Sequence, residues 1–355
     1  KVQIFEIGAT ARLSQELPIV LQRMLDGDKL SEEIVRRHDQ DEAEYVRSLA
    51  IARGEEVAAP AAPILDVPAR TEPKRMKLAA AWNCTDVKNA GNFLVVTGAN
   101  TEPAVLVLEG KRTVVQLNAQ GQVAGRLPLP IPEDAGVTFL RTAVDSQGKR
   151  YYAASSMLGR QLYVFDDKWK LLFAYPEPTQ QHDGIKDVLL ADLAGDGDME
   201  CYVGYWGNQG TQAVDFKGKR LWSNRTAMPV LSLTTIPGGE HLRQLIVTSD
   251  RGLLLPIAAG GREEQALQVG QRSIHQVISA TFPAPRASGY LGLSYTPDSQ
   301  LFAVALSEGL NEAWAYPLPG GVYRSPIEFL TSATFGVTGS SGEWLVAGPD
   351  GSVHL

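Results

Sequence analysis

Val214-Asp-Phe-Lys-Gly-Lys-Arg-Leu-Trp222 puts an aspartate and a glycine between two runs that read as strands. Aspartate and asparagine bond their own backbone in turns, and glycine supplies the left-handed conformation that a tight turn needs. The pattern recurs at Leu117-Asn-Ala-Gln-Gly-Gln-Val123 and Phe165-Asp-Asp-Lys-Trp-Lys-Leu171. Degenerate copies stand at Ile257-Ala-Ala-Gly-Gly-Arg262 and Tyr316-Pro-Leu-Pro-Gly-Gly321. The anchors Asn118, Asp166, Asp215, Ala258 and Pro317 are spaced by 48, 49, 43 and 59 residues. A drifting period in the forties fits a four-stranded propeller blade.

A second landmark keeps the same register. Phe93-Leu-Val-Val-Thr-Gly98, Tyr151-Tyr-Ala-Ala-Ser155, Cys201-Tyr-Val-Gly204, Leu245-Ile-Val-Thr-Ser249, Leu301-Phe-Ala-Val-Ala-Leu306 and Trp344-Leu-Val-Ala-Gly348 each come early in a repeat. They are apolar almost throughout, as inner strands buried on both faces should be. The expected fold is mainly β, a propeller of about six to seven four-stranded blades over residues 77–355. The sixth repeat has no closing turn before Leu355, so the ring is expected to be incomplete or closed by strands from Leu65–Trp82.

Ahead of the blades, Val2-Gln-Ile-Phe-Glu-Ile7 reads as a short strand. Leu17, Val20, Leu21, Met24 and Leu25 have helical spacing, and a charged second helix is expected from Ser31 to about Arg53. Residues 1–56 therefore read as a strand plus two helices. Residues 57–76, punctuated by Pro60, Pro63, Pro68 and Pro73, read as a stiff linker. Both chain ends fall in apolar stretches, and the chain is expected to be a piece of a longer polypeptide.

The chain has 355 residues, 44% hydrophobic content and a net charge of −7. No long basic run is present, which argues against a nucleic-acid surface. No apolar run is long enough to span a bilayer as a helix. Cys84 and Cys201 form no Cys-x-x-Cys pair and read as small buried residues, with a disulfide between them left open.

Chemistry concentrates in Ile185-Lys-Asp-Val-Leu-Leu-Ala-Asp-Leu-Ala-Gly-Asp-Gly-Asp-Met-Glu-Cys-Tyr-Val-Gly204. Asp192, Asp196, Asp198 and Glu200 are like charges that repel unless a cation or basic group sits among them. Gly195 and Gly197 let the backbone fold back so that oxygens converge, as calcium requires. Val203 holds the place where an EF-hand needs a bidentate glutamate, so that motif is excluded. The alternative is a solvated Asp/Gly turn.

This strand, acidic loop and strand resemble the FG-GAP/VCBS family of β-propeller repeats. Asp192, Asp196, Gly197 and Glu200 match its loop, whereas Ala194 removes one expected ligand. The resemblance implies calcium held by the side chains of Asp192, Asp196 and Glu200, with Asp198 giving its backbone carbonyl. The strand and helix of the first fifty residues resemble the closing βα unit of a thioredoxin-like redoxin, which precedes FG-GAP repeats in planctomycete-type proteins. A helical appendage is the alternative. On the redoxin resemblance, the redox cysteines would lie upstream of Lys1.

Other candidates have structural readings. His182-Asp183 is expected to be solvated, and His241 and His275 to be structural. Tyr205, Trp206 and Asn208 are expected near one mouth of the propeller, with Trp206 packed between blades. Trp169 and Trp222 are expected to pack after the repeat turn. Asn83-Cys-Thr85 and Asn224-Arg-Thr226 fit the glycosylation pattern. No Gly-x-Ser-x-Gly elbow or phosphate loop is encoded. The expectation is a non-catalytic, extracytoplasmic binding or scaffold propeller that takes a protein or glycan partner. The alternative is a glycosidase or quinone-dependent dehydrogenase acting in the central funnel.

Overall fold

A computed structural model describes residues 82–98, 101–235, 244–281, 288–295, 301–307, 309–318, 330–333, 343–347 and 353–354. The chain divides into two units, Lys1–Leu65 and Asp66–Leu355, and the described residues belong to the second. The expected N-terminal strand, two helices and linker, and His241, lie outside them.

The described residues form six successive antiparallel sheets. The first holds β1 (Ala90–Gly98), β2 (Thr101–Glu109), β3 (Thr113–Leu117) and β4 (Val123–Pro128). The second holds β5 (Phe139–Val144), β6 (Arg150–Ser155), β7 (Leu162–Phe165) and β8 (Leu171–Tyr175). The third holds β9 (Ile185–Ala191), β10 (Glu200–Tyr205), β11 (Thr211–Asp215) and β12 (Arg220–Asn224). The fourth has β13 (Val230–Thr235), β14 (Gln244–Ser249) and β15 (Leu254–Ala258). The fifth has β16 (Ser273–Thr281), β17 (Ser288–Tyr295), β18 (Leu301–Ser307) and β19 (Glu312–Pro317). The sixth has β20 (Leu330–Ala333), β21 (Glu343–Ala347) and β22 (Val353–His354). Strand order within each sheet follows the chain, and the first strand of each sheet packs against the first strand of the next.

The core lies in layers between adjacent sheets. Leu162, Val164 and Phe173 of the second sheet meet Ile185, Val188 and Val203 of the third. Tyr202 and Ala213 of the third meet Val230, Leu245 and Val247 of the fourth. Similar layers join first to second, fourth to fifth and fifth to sixth. Each fully buried Val, Leu or Ile contributes about 1.5–3 kcal/mol.

Repeat turns join successive strands as expected, and these are the third and fourth strands of the first three sheets. Asp215 is typical: its N–H donates to Lys219 O (2.9 Å), and its carbonyl accepts the Gly218 N–H (3.0 Å). Its Oδ1 accepts the amides of Lys217 and Lys219, both at 2.9 Å. Asn118 and Asp166 are bonded in the same way. Gly218 sits at φ 82°, where a side chain is strained. In the fifth sheet the equivalent turn starts at Ser307, whose N–H donates to Asn311 O (2.8 Å), and not at Pro317. The anchor spacings become 48, 49, 43 and 49 residues, closer to a constant period. Asp145 makes the same turn between β5 and β6, with Oδ1 accepting the amides of Gln147 and Lys149.

Five of the six apolar landmark strands are not first strands of their sheets. Four of them are second strands, and Leu301–Leu306 lies in the third strand β18. Second strands are buried on both faces because neighbouring sheets cover them, as in β10 and β14. The Phe93–Gly98 landmark lies in the first strand β1, where Phe93 and Val95 are exposed.

First strands carry polar groups instead, and these stitch sheet to sheet. On β1, the Asn92 amide donates to Leu140 O (3.0 Å) and its Oδ1 accepts the Leu140 N–H (2.7 Å). Arg141 on β5 donates to Asp187 Oδ1 on β9 (2.8 Å). Asp187 Oδ2 accepts the Leu233 N–H on β13 (2.9 Å). Ser232 on β13 donates to Val277 O on β16 (3.1 Å).

Asp187 is buried and bridges three sheets, so Asp187→Ala is expected to destabilise by about 2–3 kcal/mol, because it takes the carboxylate from Arg141 and leaves the buried Leu233 amide without its acceptor. Denaturant melts should show that loss, with Lys217→Ala, on an exposed turn, within about 0.5 kcal/mol of the wild type.

Candidate functional site

β10 runs from the acidic loop at Glu200 to Tyr205, so its two ends carry different chemistry.

At the acidic end, Asp192 closes the loop. Its Oδ1 accepts the Gly195 amide (2.6 Å) and its Oδ2 the Gly197 amide (3.1 Å). Gly195 and Gly197 sit at φ 73° and 93°, the turn-back that the sequence indicated. Asp196 Oδ1 accepts the Asp198 amide (3.0 Å). Glu200 Oε2 accepts the Tyr202 hydroxyl (3.0 Å). Burial raises the Glu200 pKa above its ordinary range; Asp196 and Asp192 push the same way, while the bonds from Tyr202 and Leu193 oppose them. Asp196 and Asp198 are exposed. Among the described residues, no three acidic, histidine or cysteine side chains converge as a ligand set. Each Asp192 oxygen accepts one amide and keeps a second lone pair, so the loop still has carboxylate oxygens that a hard cation could take.

At the other end, the loops after β6 and β10 meet the segment leading into β9. His182 is buried there, which overturns the solvated reading. Its ring and backbone hold two loops together. Nδ1 accepts the Gly184 N–H (3.1 Å), which leaves Nε2 to donate to Arg160 O (2.9 Å). Arg160 Nη1 donates back to His182 O (2.8 Å), and the Tyr205 ring packs edge-on at 5.0 Å. Asp183 is exposed.

Outside this clamp lies an apolar patch. Met157, Leu158 and Trp206 are 36%, 46% and 40% exposed, so Trp206 is not packed between blades as expected. The Leu158 N–H donates to Ile185 O (2.7 Å), and the Trp206 N–H donates to Gly184 O (2.9 Å). Lys186 sits among them, with Nζ 3.6 Å from Met157 Sδ and 5.9 Å from the Trp206 ring centroid. Burial lowers the Lys186 pKa, with Asp187 pulling it up.

The remaining candidates are structural. Trp169 stacks on Tyr152 at 4.0 Å. Trp222 donates to Ala259 O (2.7 Å) and closes over Gly261 of the next sheet, so both tryptophans pack as expected. Trp169 lies within its turn, however, whereas Trp222 lies on β12, so the two places are not equivalent. Asn224 donates to Glu263 Oε2 (2.6 Å) and is buried, which leaves its glycosylation sequence no free acceptor. Both cysteines are free; Cys201 is buried and Cys84 half-buried.

The sequence reading missed Asn92, Arg141, Asp187, Lys186, Met157 and Leu158. The signal for two of them was legible: Lys186-Asp187 interrupts a strand start that burial should keep apolar.

No protein-family model matches the chain, and no curated protein matches it. Among solved structures, it is similar to BBS1N in complex with ARL6DN, soaked with mercury, at TM-score 0.51 and 9% identity over 71% of this chain and 73% of that one. It is also similar to the lead-soaked form of that complex, at TM-score 0.55 and 9% identity over 75% and 79%. This likeness, with the six antiparallel sheets, shows a β-propeller-like fold. Among the described residues, no helix is long and apolar enough to cross a membrane.

Burial holds the His182 pKa below its ordinary value of about 6.5. A depressed pKa means that the stabilisation is complete above that pH and is lost as pH falls through the lowered value. Thermal melts should therefore show stability falling below about pH 6.5, and His182→Gln should flatten the decline. His275, also lowered by burial, keeps part of the slope in the variant.

Proposed function

We propose that this protein is a non-catalytic interaction propeller that holds a protein partner. The exposed apolar side chains of Met157, Leu158 and Trp206 carry the reading, because apolar surface gathered round a half-buried cation is what association removes from water. The similar BBS1N was solved in complex with ARL6DN, which is consistent with a propeller used for binding. Six sheets are described, and a ring of six or seven blades is proposed. On the resemblances of its sequence alone, the chain is an FG-GAP/VCBS-type propeller outside the cytoplasm, joined to an upstream redoxin.

The test is to recover the tagged protein from its own cells and rebuild any complex from purified components. A partner in near one-to-one ratio is expected. Turnover of nitrophenyl glycosides, or reduction of a quinone-linked dye by sugars, would instead favour a funnel enzyme.

Calcium at the acidic loop is a second reading. The repulsion that Asp192 and Asp196 exert on Glu200 favours it, since a cation would relieve that repulsion. Asp192, Asp196 and Glu200 would hold the ion by their side chains, and Asp198 by its carbonyl. Millimolar calcium should then raise the melting temperature by roughly 2–4 °C against EDTA, equivalent to about 1 kcal/mol, and Asp196→Ala should abolish the rise. An unchanged wild-type melt would leave an amide-closed turn without an ion.

A further inference from the structure

β9 breaks its ladder at one residue. Gly204 pairs with Asp187 and Tyr205 pairs with Ile185, which leaves Lys186 as the extra residue of a β-bulge. A bulge re-aims the side chain that it carries. Here it places an ammonium against Met157 Sδ and near the Trp206 ring, while the neighbouring Asp187 carboxylate is engaged by Arg141, Val188 and Leu233. Lys186 is half-buried, and its Nζ lies against Met157 Sδ and the Trp206 ring, with Asp187 acting on it only through the field. Arg160, two residues after Leu158, is exposed and has one guanidinium nitrogen on His182 O.

Leu158 adds a second observation. It holds φ 56°, a left-handed conformation that is strained for a leucine, and yet the residue is 46% exposed. The Leu158 amide bond to Ile185 O and the close approach of Gly184 hold it there. Strain that presents an apolar side chain to water is the kind retained at binding sites.

We propose that Met157, Leu158 and Trp206, ringed by Lys186 and Arg160, dock a partner segment in which carboxylates alternate with large apolar side chains. The apolar trio removes the segment's side chains from water. Lys186 gains a carboxylate of its own, since Asp187 is taken up by Arg141, Val188 and Leu233, and Arg160 offers a second cation for another carboxylate of the segment. A cationic or uncharged apolar segment would leave Lys186 desolvated and unpaired. This inference rests on the interaction-propeller reading.

The test uses the whole protein and a fluorescein-labelled synthetic peptide alternating glutamate with leucine and phenylalanine. Its counterpart carries lysine at every glutamate, and binding is read by anisotropy. The acidic peptide should bind, and more weakly as salt rises. Lys186→Glu should weaken it by at least about tenfold, as it sets a like charge against the peptide's glutamates. Trp206→Ser should weaken it similarly, and the lysine peptide should not bind. Thermal midpoints matching the wild type would show both variants folded; if Lys186→Glu unfolds, Lys186→Met removes the charge alone and keeps the test. Equal binding of both peptides, binding unchanged in both variants, or self-association through this patch in light scattering would overturn the proposal. If the patch fails while a one-to-one complex is still recovered from cells, the interaction reading stands and the partner sits elsewhere. If neither is seen, both fall.

Discussion

The structure depends on how one sheet is fastened to the next at its first strand. A first strand has neighbours on both sides and little room for bulk, so apolar packing alone would leave its relative height undefined. Polar side chains fix it. The Asn92 amide grips both backbone groups of Leu140. Asp187 takes Arg141 from one side and the Leu233 amide from the other. Ser232 reaches the Val277 carbonyl. Such bonds are directional, so they set register across seams where hydrophobic contact cannot. With register set, apolar side chains of successive second strands fall into layers that fill the space between sheets.

The fold was legible in the sequence because turn chemistry is local. A short polar residue followed three positions later by glycine is enough to specify the hairpin, and the structure uses those atoms as the residue types imply. Where the turn used Ser307 and Leu310 in place of Asp and Gly, the pattern was invisible and the neighbouring Pro317 was mistaken for it. Strand position was harder to read. Apolar runs show that a strand is covered on both faces, but not whether it stands first or second in its sheet. That depends on pairing, which a sequence does not display.

The two ends of β10 show the same contrast. The acidic loop announced itself by composition, and the structure gives its carboxylates to its own amides. The opposite end made no motif. Met157, Leu158, Lys186 and Trp206 come from three separated segments, and only folding brings them together. His182, the residue that joins those segments, looked like a loop histidine because its partners are backbone groups of Arg160 and Gly184. Backbone partners leave no trace in residue identity.

The bulge at Lys186 has counterparts where β13 skips Leu231 and β16 skips His275. A residue at such a site has no partner in the ladder, so its identity is not dictated by pairing. The three positions hold a cation, an aliphatic chain and an imidazole at comparable steps of the repeat. One rigid scaffold can thus vary its vocabulary blade by blade, and new specificities can arise by exchanging these letters while the grammar of the sheets stays intact.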